Sequence, residues 1–223
     1  MAMGPRSRRK TGMRRVAVSV ALVVAAPLIT FVAVLLVRNG LVSLGFGLDV
    51  LTLQVAQVMA FAALGFAAIS MVRSLSDFRR LGLISIAVLV VTAGIVGAFR
   101  WQASVIGVRG PLDVSTDLAE PPAVPGAAGA PVTCTGAAAV PSQVAAEQAT
   151  AALHAAGFAI TELQLFRSRG VRDGFWFGLG HEAVIRIRPG RTDVRVVARY
   201  DRADGGETCR LANRILAGLQ PAP

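Results

Sequence analysis

Three long apolar runs, at residues 16–37, 50–72 and 81–99, fill the first half of the chain. After residue 100 the pattern breaks into short alternating and helical periods punctuated by Pro and Gly. The first run is 22 residues without a charge, about 33 Å as a helix, enough to cross a hydrocarbon core of about 30 Å. Fourteen of its residues are Val, Leu, Ile or Phe, which favours insertion by roughly 4–8 kcal/mol. Pro27 is tolerated because neighbouring helices can satisfy the carbonyl it frees. The run is too long for a signal peptide's apolar core and lacks a small-residue cleavage site. Gln54 and Gln57, three apart in the second run, are expected to share a helical face and bond to a neighbouring helix. With no acid or base inside any of the three runs, an ion route is the weaker alternative.

Beyond the runs, residues 100–141 read as a Pro/Ala/Gly-rich tether, with Pro121-Pro122-Ala123-Val124-Pro125-Gly126 enforcing extended backbone. Residues 142–156 read as a helix, capped by Ser142 and ended by Gly157. Extended segments are expected at residues 158–166, 175–188 and 192–200, the last two joined tightly by Pro189-Gly190. A closing helix spans residues 205–219, with Asp204 and Glu207 spaced as a capping pair and Leu211, Ala212, Ile215, Leu216 and Leu219 on one face. The expected fold is therefore a three-helix transmembrane anchor followed by a small α+β domain at residues 142–223. In that domain a helix, three strands and a helix form an antiparallel sheet covered by helices on one side. Alternation puts Val194, Val196, Ala198 and Tyr200 on one sheet face and Arg195 and Arg199 on the other, with Arg186 and Arg188 extending the basic stripe.

The net charge of +10 raises nucleic-acid binding, but its distribution removes that reading. Arg6, Arg8, Arg9, Lys10, Arg14 and Arg15 sit in the tail of residues 1–15, and Arg73, Arg79 and Arg80 lie between the second and third runs. After residue 99 there are 13 arginines against 11 carboxylates. Short basic loops stay in the cytoplasm, so the N-terminus is expected inside. Three crossings then carry residues 100–223 to the far side of the membrane from the cytoplasm, with Trp101 at the interface. An oxidising compartment suits a disulfide between Cys134 and Cys209, which would close a ring of 76 residues and stabilise by about 4–5 kcal/mol on the chain-entropy account.

Asp113-Val114-Ser115-Thr116-Asp117 followed by Pro121-Pro122 resembles the opening of the family catalogued as domain of unknown function 1499. Val184-Ile185-Arg186-Ile187, Asp193-Val194-Arg195 with Arg199, Asp204-Gly205 and Arg214-Ile215 resemble its second half in order and spacing. The resemblance covers residues 112–219. It departs at Val197 and Ala198, at His181-Glu182 and at Leu211. It implies a bacterial envelope or membrane-associated protein and carries over no activity.

Candidate binding residues are Arg186, Arg188, Arg195 and Arg199, whose guanidinium forks suit an anionic lipid headgroup or phosphorylated glycan. The plainer reading is a solvated strand face balanced by Glu162 and Asp193. Asp113, Ser115, Thr116 and Asp117 are a second candidate group, with a turn bonding its own backbone as the alternative. His181-Glu182 with Cys209 lacks paired metal-ligand spacing, so no metal or other cofactor is expected. No Gly-x-Ser-x-Gly elbow occurs and His154 and His181 are the only histidines, so no catalytic set is expected. The reading is a membrane-anchored periplasmic module that binds a protein partner or an anionic envelope component. An envelope hydrolase or transferase, or a transport-associated subunit, are the competing readings.

Overall fold

The computed structural model describes residues 5–74, 83–107, 109–127, 129–174 and 177–220. Arg79, Arg80, the first two residues of the expected third run and Phe175 lie outside the described residues. The chain divides into two compact units, Met1–Ser104 and Val105–Pro223.

In the first unit, helix α1 (Pro5–Arg38) passes through Pro27 without a break. A π-helical segment (Phe46–Ala56) runs directly into α2 (Gln57–Ser74), and α3 follows (Leu83–Ile106). Among the described residues, three stretches are long and apolar enough to cross a membrane: Ala17–Arg38, Phe46–Val72 and Leu83–Ser104. The third reaches further towards the C-terminus than the expected 81–99, because Arg100 and Gln102 interrupt the apolar run without interrupting the helix. The helix seams use small residues: Ala26, Ala33, Ala56, Ala60, Ala63 and Ala67 are all buried, which lets the backbones approach where lipid offers no hydrophobic drive. The π winding alters the glutamine expectation. The segment Phe46–Ala56 is π-helical, with the Thr52 hydroxyl donating to the Gly47 carbonyl at 3.0 Å, and in this winding residues three apart do not share a face. Gln54 is exposed while its neighbour two residues on, Ala56, is fully buried.

The second unit is an α+β domain with five strands rather than the three expected. They are β1 (Asp113–Ser115), β2 (Ala159–Gln164), β3 (Arg167–Arg172), β4 (His181–Arg188) and β5 (Arg191–Ala198), with α4 (Ala146–Ala155) and α5 (Glu207–Leu219). The sheet order is β1-β5-β4-β3-β2, antiparallel throughout. Strand β1 lies inside the expected tether, and the tether is further tied down by bridges at Val132 and Val140. Strand β3 was hidden because Arg167-Ser168-Arg169-Gly170-Val171-Arg172 holds only one β-branched residue. Its arginines belong in a sheet because Arg169 pairs with Glu182 on the next strand at 2.5 Å.

Both soluble helices cover one sheet face. Val114, Ala183, Ile185, Ile187, Val194 and Val196 from the strands meet Ala149, Leu153, Leu211, Ile215 and Leu219 from the helices in one core. Helix α4 is shorter than expected at its start. Ser142 does not cap it; the Ser142 carbonyl instead accepts the Thr192 hydroxyl at 2.9 Å. Its end is as expected, with Gly157 at φ +85° and the Phe158 N–H bonded to the Leu153 carbonyl. Asp204 holds the start of α5 through the N–H groups of Gly206 and Thr208, both at 2.7 Å.

Candidate functional site

The two candidate binding groups are one construction. On the sheet face away from the helices, cross-strand register aligns Ser115, Arg195 and Val184, and beside them Asp193 and Arg186. Residues 116–127 and 129–131 fold back as a strap over this face. Ser115 turns it: its hydroxyl donates to the Asp117 carbonyl at 2.8 Å and accepts the Asp117 N–H at 3.2 Å. Thr116 accepts the Val194 N–H at 2.9 Å.

The arginines hold the strap. Arg195, 6% exposed, donates through two nitrogens to the two oxygens of Asp113 at 2.9 and 2.6 Å, and through a third to the Pro122 carbonyl at 3.1 Å. Arg186 reaches Asp117 at 3.0 Å, the Glu120 carbonyl at 2.6 Å and Asp193 at 3.3 Å. Arg188 reaches Asp117 at 2.7 Å, Asp193 at 2.6 Å and Glu120 at 3.1 Å. Arg191 meets Asp193 at 2.7 Å. A proline-rich strap makes no helix or ladder, so its carbonyls need donors, and guanidinium forks supply them. Two N–H groups, from Ala119 and Glu120, also converge on one Asp117 oxygen at 3.1 Å each. The Glu120 N–H, with Arg188 and Arg191, holds the Asp117 carboxyl below its ordinary 3.8 against the opposing effect of burial. Four guanidinium groups here face four carboxylates, so the cluster is electrically balanced. Arg199 stands apart, half exposed, with Asp173 at 3.6 Å.

Two features carried no signal strong enough to be singled out from the sequence. The first is a groove of about 750 Å³ between α4 and β2, lined by Glu147, Ala151, Ala155, Ile160, Leu163 and Leu165. It exists because two helices at 8–10 Å spacing cannot fully cover five strands at about 4.8 Å spacing, so on the edge strand β2 Ile160 packs in part against the core while Leu163 is left open. A bulge between Ile160 and Glu162 keeps both Ile160 and Leu163 on that side. Leu163 is 60% exposed, and at the hairpin tip Leu165 is 71% and Phe166 54% exposed.

The second is a polar pair, buried His181 with half-buried Tyr200, whose hydroxyl lies 3.1 Å from Nε2. His181 faces the helix side while Glu182, next along β4, faces Arg169, so the two do not converge on a metal. Burial pushes His181 below its ordinary 6.5, against the opposing charges of Asp204 and Glu207 and with help from Arg172. The fold thus favours the neutral ring. Its contribution is fully present above pH 6.5 and is lost as pH falls through the window beneath it, where the unfolded chain binds the proton first. Thermal melting is expected to drop between pH 7.5 and 5.5, and His181→Gln is expected to flatten that part of the profile. The carboxylates with lowered values, Asp117 and Glu207, add acid sensitivity only below 3.8 and 4.5 respectively.

Cys134 and Cys209 both lie at the rim of the core, partly buried, and each is a free thiol. Burial, together with a hydrogen bond to Cys209, pushes the Cys134 thiol up to about 12.

No protein-family model, no curated protein and no solved structure matches the chain.

Proposed function

We propose that this is a multi-pass protein of the bacterial inner membrane, with its N-terminus in the cytoplasm and its α+β domain in the periplasm or equivalent space, where it recognises a protein partner. The observation that carries the reading is the contrast between the two sheet faces. The guanidinium groups of Arg186, Arg188 and Arg195 are already bonded to the strap and to neighbouring carboxylates, and Arg199 lies outside that cluster. An accessible recognition feature among the described residues is instead apolar, the groove and hairpin tip along α4 and β2. A few convergent polar groups at an apolar cleft are the usual make-up of a recognition site, and here Glu147 supplies one at the groove wall. On this reading the residues that carry the resemblance to domain of unknown function 1499, namely Asp113, Ser115, Thr116, Asp117, Arg186 and Arg195, form the strap latch rather than a ligand site. The adjacent thiols of Cys134 and Cys209 join as a disulfide in that compartment and tie the strap's far end to α5.

One set of measurements in intact cells tests location and role together. A phosphatase reporter fused after Pro223 is expected to be active only beyond the membrane. Both thiols are expected to resist alkylation after denaturation until a reductant is added. A photo-crosslinking residue at Leu165 is expected to capture protein, whereas one at Arg199 captures little. A cytosolic reporter sinks the location, and equal capture at both positions sinks the assigned surface.

A further inference from the structure

We infer that the α4/β2 groove is filled by the same edge of a second copy of this chain, in a two-fold pairing centred on Leu163. The inference rests on the reading above that this groove is the recognition surface, and it names the occupant.

Strand β2 is the last strand of the sheet, bonded to β3 alone, so its outer backbone groups are available for one more strand. An exposed edge bearing large apolar side chains is a template for pairing. Directly opposed residues of an antiparallel pair share a face, which limits the self-registers available to β2. Centring on Glu162 sets that carboxylate against itself. Centring on Gln164 runs the ladder off the strand, which ends there. Centring on Leu163 sets leucine against leucine on the helix side and Glu162 against Gln164 on the other, where an amide can donate to a carboxylate. This register avoids like charges and buries the exposed leucine.

The same two-fold operation matches shape. Each copy carries a protruding apolar tip, Leu165 and Phe166, next to an open stretch of groove at Ala151, Ala155 and Ile160. Rotation about Leu163 sets the tip of one copy beside the open groove of the other, twice over, as an isologous interface requires. The bulge beside Thr161 keeps the ladder short, and it also stops the sheet from extending indefinitely. A short ladder suffices because three membrane-spanning stretches confine both copies to one bilayer in one orientation, which raises their effective concentration.

The test uses the full chain in liposomes, with Cys134 and Cys209 replaced by serine in a matched background. Leu163→Cys is expected to form a homodimer on mild oxidation, and Glu162→Cys to link poorly with itself but well with Gln164→Cys. Leu163→Glu and Leu163→Arg are each expected to lower dimer yield, read by energy transfer between labelled copies, at least about tenfold. Mixing the two is expected to restore it, which a merely misfolded variant would not do. Energy transfer that stays at the level of random mixing at every surface density overturns the inference. So does self-linking that is equal at 162 and 163. If a photo-crosslinker at Leu165 in cells captures a protein other than this chain, the second-copy inference fails while the recognition reading stands. If it captures nothing, both fail.

Discussion

Replacing Asp193 with alanine is expected to destabilise the α+β domain by about 3–5 kcal/mol, while Arg199→Ser is expected to change it by less than about 0.5 kcal/mol. Asp193 has no solvent exposure and is bonded to Arg186, Arg188 and Arg191 at 3.3, 2.6 and 2.7 Å. Removing its carboxylate leaves three guanidinium groups competing for Asp117, with a cavity beside them that has no negative charge. Breaking one partner out of a buried ionic cluster costs more than the cluster itself contributes, because the remaining charges keep their desolvation penalty. Arg199 is half exposed and its nearest carboxylate, Asp173, is 63% exposed, so solvent screens the pair. Urea unfolding of the full chain in nanodiscs, followed by loss of sheet signal while the membrane helices persist, separates the two outcomes. A small effect for Asp193→Ala would mean that the strap is not held by these ion pairs.

The contrast between those two substitutions bears on what the sequence could disclose. The membrane spans were legible because lipid insertion depends on length and composition, both local properties. The helix-side strand residues were legible too, since alternation at Val194 and Val196 is fixed by the pleat. The basic stripe was legible as a face, but its burial was not, because burial depends on where residues 116–127 and 129–131 go. A Pro/Ala/Gly segment has no period that announces a docking partner, so it read as a tether. Once the strap is in place, Asp113 and Arg195, 82 residues apart, become a two-point ion pair. Strand β3 stayed hidden for a related reason: alternating arginines look solvated until cross-strand carboxylates are supplied. The groove is a property of counts, two helices over five strands, and an undercount of strands leaves no surplus sheet to expose.

Phe158→Ala is expected to cost about 3–5 kcal/mol and, unlike Leu163→Glu, to weaken the groove and the fold together. Phe158 is 1% exposed and sits at the turn from α4 into β2, immediately after the bond from its own N–H to Leu153. Its side chain leans over Gly170 on β3, where an added Cβ would come within 2.9 Å of the Phe158 Cβ and 3.1 Å of the Ala159 carbonyl oxygen. Gly170 is therefore glycine for lack of room, and Gly170→Ala is expected to destabilise as well. Phe158 belongs to the core that α4 shares with the sheet, so its bulk is expected to help hold α4 away from the β2–β3 hairpin beside the groove. Truncating it leaves a cavity under α4 which the helix can partly fill by settling towards the sheet, closing the groove from beneath. Urea unfolding and Leu163→Cys crosslinking are expected to fall in parallel for Phe158→Ala, whereas Leu163→Glu is expected to abolish pairing with unfolding nearly unchanged. Crosslinking that survives Phe158→Ala at full yield would show that the paired surface does not depend on where α4 lies.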